Sequence, residues 1–167
     1  MTTISLTARL AFNAAATDEL MVALVTISHE DWEEPVRLSS DPTQRLSLDP
    51  LRYGTVSNGV EYDFVLMQLI MPDDQEDSPR SAALSFENVD ADMAAVIRSV
   101  KTPAVVDILM VLASAPDAVE GEFRGFKGVR GTFDINQVGL DISLDPITGE
   151  PWPAHRMTQG RFPGLYR

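Results

Sequence analysis

Residues 81–120 read SAALSFENVDADMAAVIRSVKTPAVVDILMVLASAPDAVE. Ala82, Leu84 and Phe86 alternate with Ala83, Ser85 and Glu87, the period of a half-buried strand. Asp90 is placed to cap a helix in which Met93, Val96, Ile97 and Val100 recur at helical spacing. Ala104 to Ala113 is then apolar on both faces except at Asp107, as a central strand should be. Ser114 to Asp117 turns the chain. Strand, short helix and long strand follow with little slack. The stretch holds no His, no Cys and no glycine-rich loop, so it reads as scaffold rather than active site.

Outward from this centre the elements are short and mostly β. Leu6 to Ala15 is predicted helical, capped by Ser5, with Leu6, Leu10 and Ala14 on one face. Leu20 to Ser28 is a buried strand, and Pro35 to Leu38 a short edge strand, because Pro suits edges and strand starts. Ser39 to Val56 reads as a long loop or loose hairpin between the turns at Asp41-Pro42 and Asp49-Pro50. Asn58-Gly59 is a hairpin turn, since both residues accept positive φ. Val60 to Met71 is read as one strand, with Tyr62, Phe64, Leu66 and Ile70 facing one way. Val129–Ile135 and Val138–Leu144 are the last strands, the second turning Val138, Leu140, Ile142 and Leu144 inward. The expected fold is α+β, mainly β: a small distorted barrel or sandwich with an N-terminal helix and one short helix between strands. Residues 1–149 form the domain and 150–167 an extended, proline-rich C-terminal arm.

Composition narrows the function classes. A formal charge of −12 opposes binding to nucleic acid, which Lys and Arg drive by neutralising phosphates. With no Cys there is no disulfide, thiolate metal site or Cys nucleophile. The N-terminus MTTISLTARL lacks the pattern of a signal peptide, and no apolar run approaches the ~20 residues of a membrane helix.

The candidate chemistries each have a plainer reading. His29, Glu30, Asp31, Glu33 and Glu34 offer one imidazole, too few fixed ligands for zinc, and read as a solvated turn. The loop carrying Asp73, Asp74, Glu76 and Asp77 lacks the glycine and the distant glutamate of a calcium loop. A Ser-His-Asp triad would have to use His29 or His155, and no nucleophile elbow accompanies them. Gly125 and Gly128 lack a phosphate-loop pattern and suit a hairpin or bulge. Asp107, a carboxylate in an apolar strand, needs a partner, and Arg98, Arg124 and Arg130 are available. No catalytic, metal or cofactor site emerges.

The order of segments resembles a family of small tailed-phage tail-tip proteins, similar in turn to the N-terminal domain of the lambda-type minor tail protein that forms the tail-tip hub. The matching pieces are LMVALVTISHEDWEEPVRLSSD, VSNGVEYDF, ALSFENVD, TPAVVDILMVLASAPDAVE, PAHRMT and the terminal RFPGL, in that order along nearly the whole chain. The lambda-type hub continues past its Phe-Pro-Gly into a cysteine-rich, iron–sulfur-binding domain. This chain ends at Arg167 without Cys, so no cluster is expected in it.

The resemblance implies a structural role without catalysis. It implies a virion tail-tip location after synthesis in the host cytoplasm, and a baseplate-hub ring, typically a homotrimer. The partners it implies are other copies, the distal tail ring, the central tip or fibre protein and the tape measure. The arm suits such a ring, with Trp152, Phe162, Pro163, Leu165 and Tyr166 as contact residues. An acidic lumen would let DNA slide without sticking, and Asp73, Asp74, Glu76, Asp77, Asp134 and Asp141 are its candidates. The alternative is a host-attachment or carbohydrate-binding module, which would favour exposed aromatics. Aromatics are only 7% of the chain, and most fall inside predicted strands.

Overall fold

The structure, a computed structural model, describes residues 4–71, 81–87, 102–134 and 137–144, together with Gly164. The predicted helix after Asp90, the acidic loop at 73–77, His155 and the contact residues of the arm lie outside them.

One helix, α1 (Leu6–Asn13), precedes β1 (Met21–Ser28), β2 (Val36–Ser39), β3 (Gln44–Leu48), β4 (Leu51–Ser57) and β5 (Val60–Phe64). β6 (Leu66–Ile70), β7 (Ser81–Glu87), β8 (Val105–Leu112), β9 (Ala115–Phe133) and β10 (Gln137–Ser143) follow. These strands form one sheet in the order β3-β4-β5-β2-β1-β8-β9-β10-β7-β6. All pairs are antiparallel except β2 and β5. β5 is third from one edge and β6 forms the other, yet Val65 alone separates them in sequence. The sheet must therefore curl back on itself. The result is the α+β, mainly-β class expected, as a distorted and unclosed barrel.

β1 and β8 are the centre of this sheet and are covered on both faces. Their register pairs Val25 with Ile108 and Ile27 with Val106 on one side. There they meet Leu38, Leu84, Phe86, Phe126 and Ile142 in the larger core. Leu24 with Leu109 and Val22 with Val111 point the other way, into a smaller cluster with Tyr62. A strand buried on both faces reads as a continuous apolar run, which is why β8 was legible as central. β7 and β10 follow the expected alternation, with Ala82, Leu84, Phe86, Val138, Leu140 and Ile142 all buried.

Several expectations are corrected. β2 is an interior strand between β1 and β5, not an edge, and Pro35 lies just ahead of its first residue. Of the two readings of segment 39–56, the hairpin holds and the long loop does not: β3 and β4 pair antiparallel with a register shift between Arg45 and Ser47, turning at the cis Asp49-Pro50 bond. The predicted strand from Val60 breaks at Val65. Tyr62 is buried before the break, whereas Leu66 and Ile70 after it are 55% and 62% exposed. Met67 and Leu69 pack on the core instead. An odd shift in register exchanges the two faces of a strand, and this break has that effect. β9 runs through the glycines at 121, 125 and 128 rather than beginning at Val129. It tolerates them by register shifts against β8 and β10.

Candidate functional site

His29 occupies no solvated position: its side chain is 1% exposed. Nδ1 accepts the Asp31 backbone N–H at 3.1 Å, so the neutral ring carries its proton on Nε2. Nε2 lies 2.5 Å from Thr102 Oγ1 and donates to it. The Trp32 ring packs at 5.7 Å between centroids. Both nitrogens are engaged, which leaves neither for a metal. The proton also points the wrong way for a base acting on Thr102. Among the described residues no group of three His, Cys, Asp or Glu side chains could hold a metal ion.

Arg98 lies outside the described residues, and among them Asp107 finds its partner in the backbone. Its Oδ1 accepts the Gly125 backbone N–H at 2.8 Å, and Arg124 pairs with Glu122 instead. Gly125 has φ +75° and sits where β9 gains residues relative to β8, so the carboxylate satisfies a donor that the bulge exposes. The Asn58-Gly59 turn has φ of 49° and 77°, the left-handed pair expected of a tight hairpin. Asn58 N–H donates to Asp117 Oδ1 at 2.6 Å and Ser57 Oγ to the Pro116 carbonyl at 2.8 Å. These bonds pin the β4–β5 turn to the start of β9.

The surface carries the features a partner would read. Ser5 caps α1 as expected, its Oγ accepting the Ala8 N–H at 3.1 Å. Ser5 N–H in turn donates to Glu120 Oε2 at 2.7 Å, a carboxylate buried on β9. This anchor fixes which face of the helix meets the sheet. Ala8 is fully buried, while Leu6 and Leu10 are 74% and 65% exposed. At 100° per residue Ala8 lies nearly opposite those leucines, so docking through the small alanine turns the leucine face outward. The β3–β4 turn likewise exposes Leu48 and Leu51. There β4 runs past the end of β5, whose pairing stops at Gly54. Arg52, on that overhang, bonds Asp63 through Nε at 2.8 Å and Nη2 at 2.5 Å.

The outer face of β6, β7, β10 and β9 forms a shallow trough. One depression of about 290 Å³ is lined by Gln68, Ser85, Thr132, Asp134, Gln137 and Asp141 among others. A second, of about 300 Å³, shares Ile70, Ala83 and Asp141 with it and continues to Val129 and Ser143. Nothing in the sequence marked this trough, because small residues on the solvent face of strands carry no local signal. Glu120 was missed for a related reason: its partner lies 115 residues away.

No helix among the described residues is long and apolar enough to cross a membrane. The family described as a domain of unknown function (DUF1833) matches residues 7–142. No curated protein matches the chain.

Proposed function

Because the chain belongs to the DUF1833 family, whose description assigns no activity, we propose its function from its surfaces: a structural subunit of a phage tail tip. Copies of the chain form a threefold ring that joins the end of the tail tube to the central tip or fibre. The observation that carries this reading is where the apolar side chains go. The body has an enclosed core, yet Leu6, Leu10, Phe12, Leu48, Leu51, Leu66, Ile70 and Val129 are each more than half exposed. Seven of these eight lie on the helix, the overhanging hairpin and the edge strand; Val129 is on β9, and Leu20, ahead of β1, is exposed as well. Apolar patches of this kind mark surfaces that another protein covers.

The threefold number and the identity of the neighbours come from the resemblance to the lambda-type hub. Trp152, Phe162, Pro163, Leu165 and Tyr166 anchor the arm on those neighbours. Asp73, Asp74, Glu76, Asp77, Asp134 and Asp141 are the candidates for an acidic lumen wall, which would keep a sliding duplex off within the ~8–10 Å that salt leaves unscreened. Sedimentation equilibrium of the purified chain tests the reading. A mass three times the 18.3 kDa of the chain is expected as concentration rises. A monomer at every concentration up to about 100 μM, where a 1 μM interaction worth ~8 kcal/mol would be saturated, overturns it.

A further inference from the structure

We propose that Asn58-Gly59 is a site of spontaneous deamidation, and that Asp117 restrains its rate by keeping the β4–β5 turn closed. The chain has four asparagines, and Asn58 alone is followed by glycine; Asn13 precedes Ala14, Asn88 precedes Val89 and Asn136 precedes Gln137. The next residue's amide nitrogen is the nucleophile in this reaction, and a side chain there shields it. Gly59 has no side chain, and even an added Cβ would meet nothing within 4 Å. Both residues of the turn are exposed. The ladder ends on the pair of Ser57 with Val60, so the Gly59 N–H lies outside it. The Asn58 side chain is loosely held: Nδ2 reaches Ser57 Oγ and the Asp117 carbonyl, each only at 3.4 Å.

The step needs nothing but water. The Gly59 nitrogen attacks Asn58 Cγ, and its proton passes through solvent to the leaving Nδ2. The new C–N bond forms, the Cγ–Nδ2 bond breaks and ammonia departs. Water then opens the succinimide ring at either carbonyl, leaving aspartate or isoaspartate. Ring closure requires Cβ and the Gly59 nitrogen to be eclipsed about the Cα–C bond of Asn58. With φ of 49° Asn58 is left-handed, and the ψ of ~+47° that goes with that region sets the two nearly anti. The turn must therefore open before it reacts. Two bonds resist opening: Asn58 N–H to Asp117 Oδ1 at 2.6 Å, which is charge-assisted, and Ser57 Oγ to the Pro116 carbonyl at 2.8 Å.

The product undoes that restraint. A carboxylate at position 58 stands beside that of Asp117 and has no N–H for the Asp117 carbonyl. Isoaspartate also adds a methylene to the backbone of the turn. Val60, just after the turn, and Val119, two residues past Asp117, pack on the smaller core cluster. Deamidation thus loosens the cover of that cluster as the protein ages.

The full-length chain is held in mildly alkaline buffer beside the free peptide VSNGVEY, residues 56–62, and digests are read by mass spectrometry for the change of amide to acid. Asn58 is expected to convert before the other asparagines, and about ten- to a hundredfold more slowly than in the peptide, ~1.4–2.7 kcal/mol of local opening. Asp117→Ala is expected to quicken conversion about fivefold, ~1 kcal/mol. Asp117→Asn, which keeps an acceptor without its charge, is expected to fall between. Conversion of another asparagine first, or an Asn58 rate more than about a thousandfold below the peptide's, overturns the site. A rate equal to the peptide's, or one unmoved by Asp117→Ala, overturns the restraint. Asn58→Asp, made directly, is expected to quicken amide exchange at Val60 and Val119; unchanged exchange there overturns the loosening.

Discussion

β8 and α1 are both apolar by sequence, and the fold uses them in opposite ways. β8 is covered on both faces, with Val106, Ile108 and Val111 fully buried. α1 buries an alanine and displays its leucines. The contrast teaches that hydrophobic periodicity marks which residues want covering but not which molecule covers them. In β8 the cover is the chain's own sheet. For α1 no described element supplies it, and a neighbouring copy does so in the proposed ring.

Substitutions at the two regions should therefore separate folding from assembly. The largest effect is expected from Phe86→Ala in the shared core, where truncating a fully buried ring costs about 3–5 kcal/mol. Denaturant titration should show the midpoint collapse. A loss under 1 kcal/mol would mean that this core is not packed as described. Next is Gly125→Ala. Open space surrounds the added methyl, so only the left-handed backbone resists it, at about 1–2 kcal/mol. An unchanged melting curve would show that β9 does not need positive φ there.

Glu120 then tests what holds the helix. Glu120→Ala removes the acceptor for Ser5 N–H and should cost about 1–3 kcal/mol, the worth of a part-buried hydrogen bond to a charged group. Amide exchange should quicken across residues 6–13 first, while Glu120→Gln, which keeps an acceptor, stays close to the parent. Uniform loss of protection across the sheet would contradict a local anchor. The smallest stability effect belongs to Leu6→Ser with Leu10→Ser, within about 0.5 kcal/mol each for exposed positions. The same pair should weaken self-association by tenfold or more in sedimentation. If it destabilises the monomer instead, the leucine face is covered within its own subunit.

What the sequence disclosed follows the same division. The Ser5 cap, the Asn58-Gly59 turn, the alternation of β7 and β10 and the doubly apolar β8 are local patterns, and the structure bears each out. The break at Val65 was not legible, since the run VEYDFVLMQLI has no Gly or Pro to announce it. Only the curl of the sheet, which sends β5 and β6 to distant positions, requires it. β2 looked like an edge because of Pro35, but its second neighbour, β5, arrives from beyond the β3–β4 hairpin. Asp107 was rightly marked as needing a partner; the partner among the described residues is a backbone N–H freed by a bulge, which a search among side chains does not reveal. The surface features depend on how separate strands and the helix come together, so they were the least readable of all.

Cryo-electron microscopy of the assembled chain at a tail tip tests the central claim most directly. The account predicts a threefold ring in which copies cover the leucines of α1 and the inner wall is acidic. A sixfold ring would contradict the hub role, and a lumen lined by Arg37, Arg45 and Arg52 would contradict the electrostatic account of DNA passage.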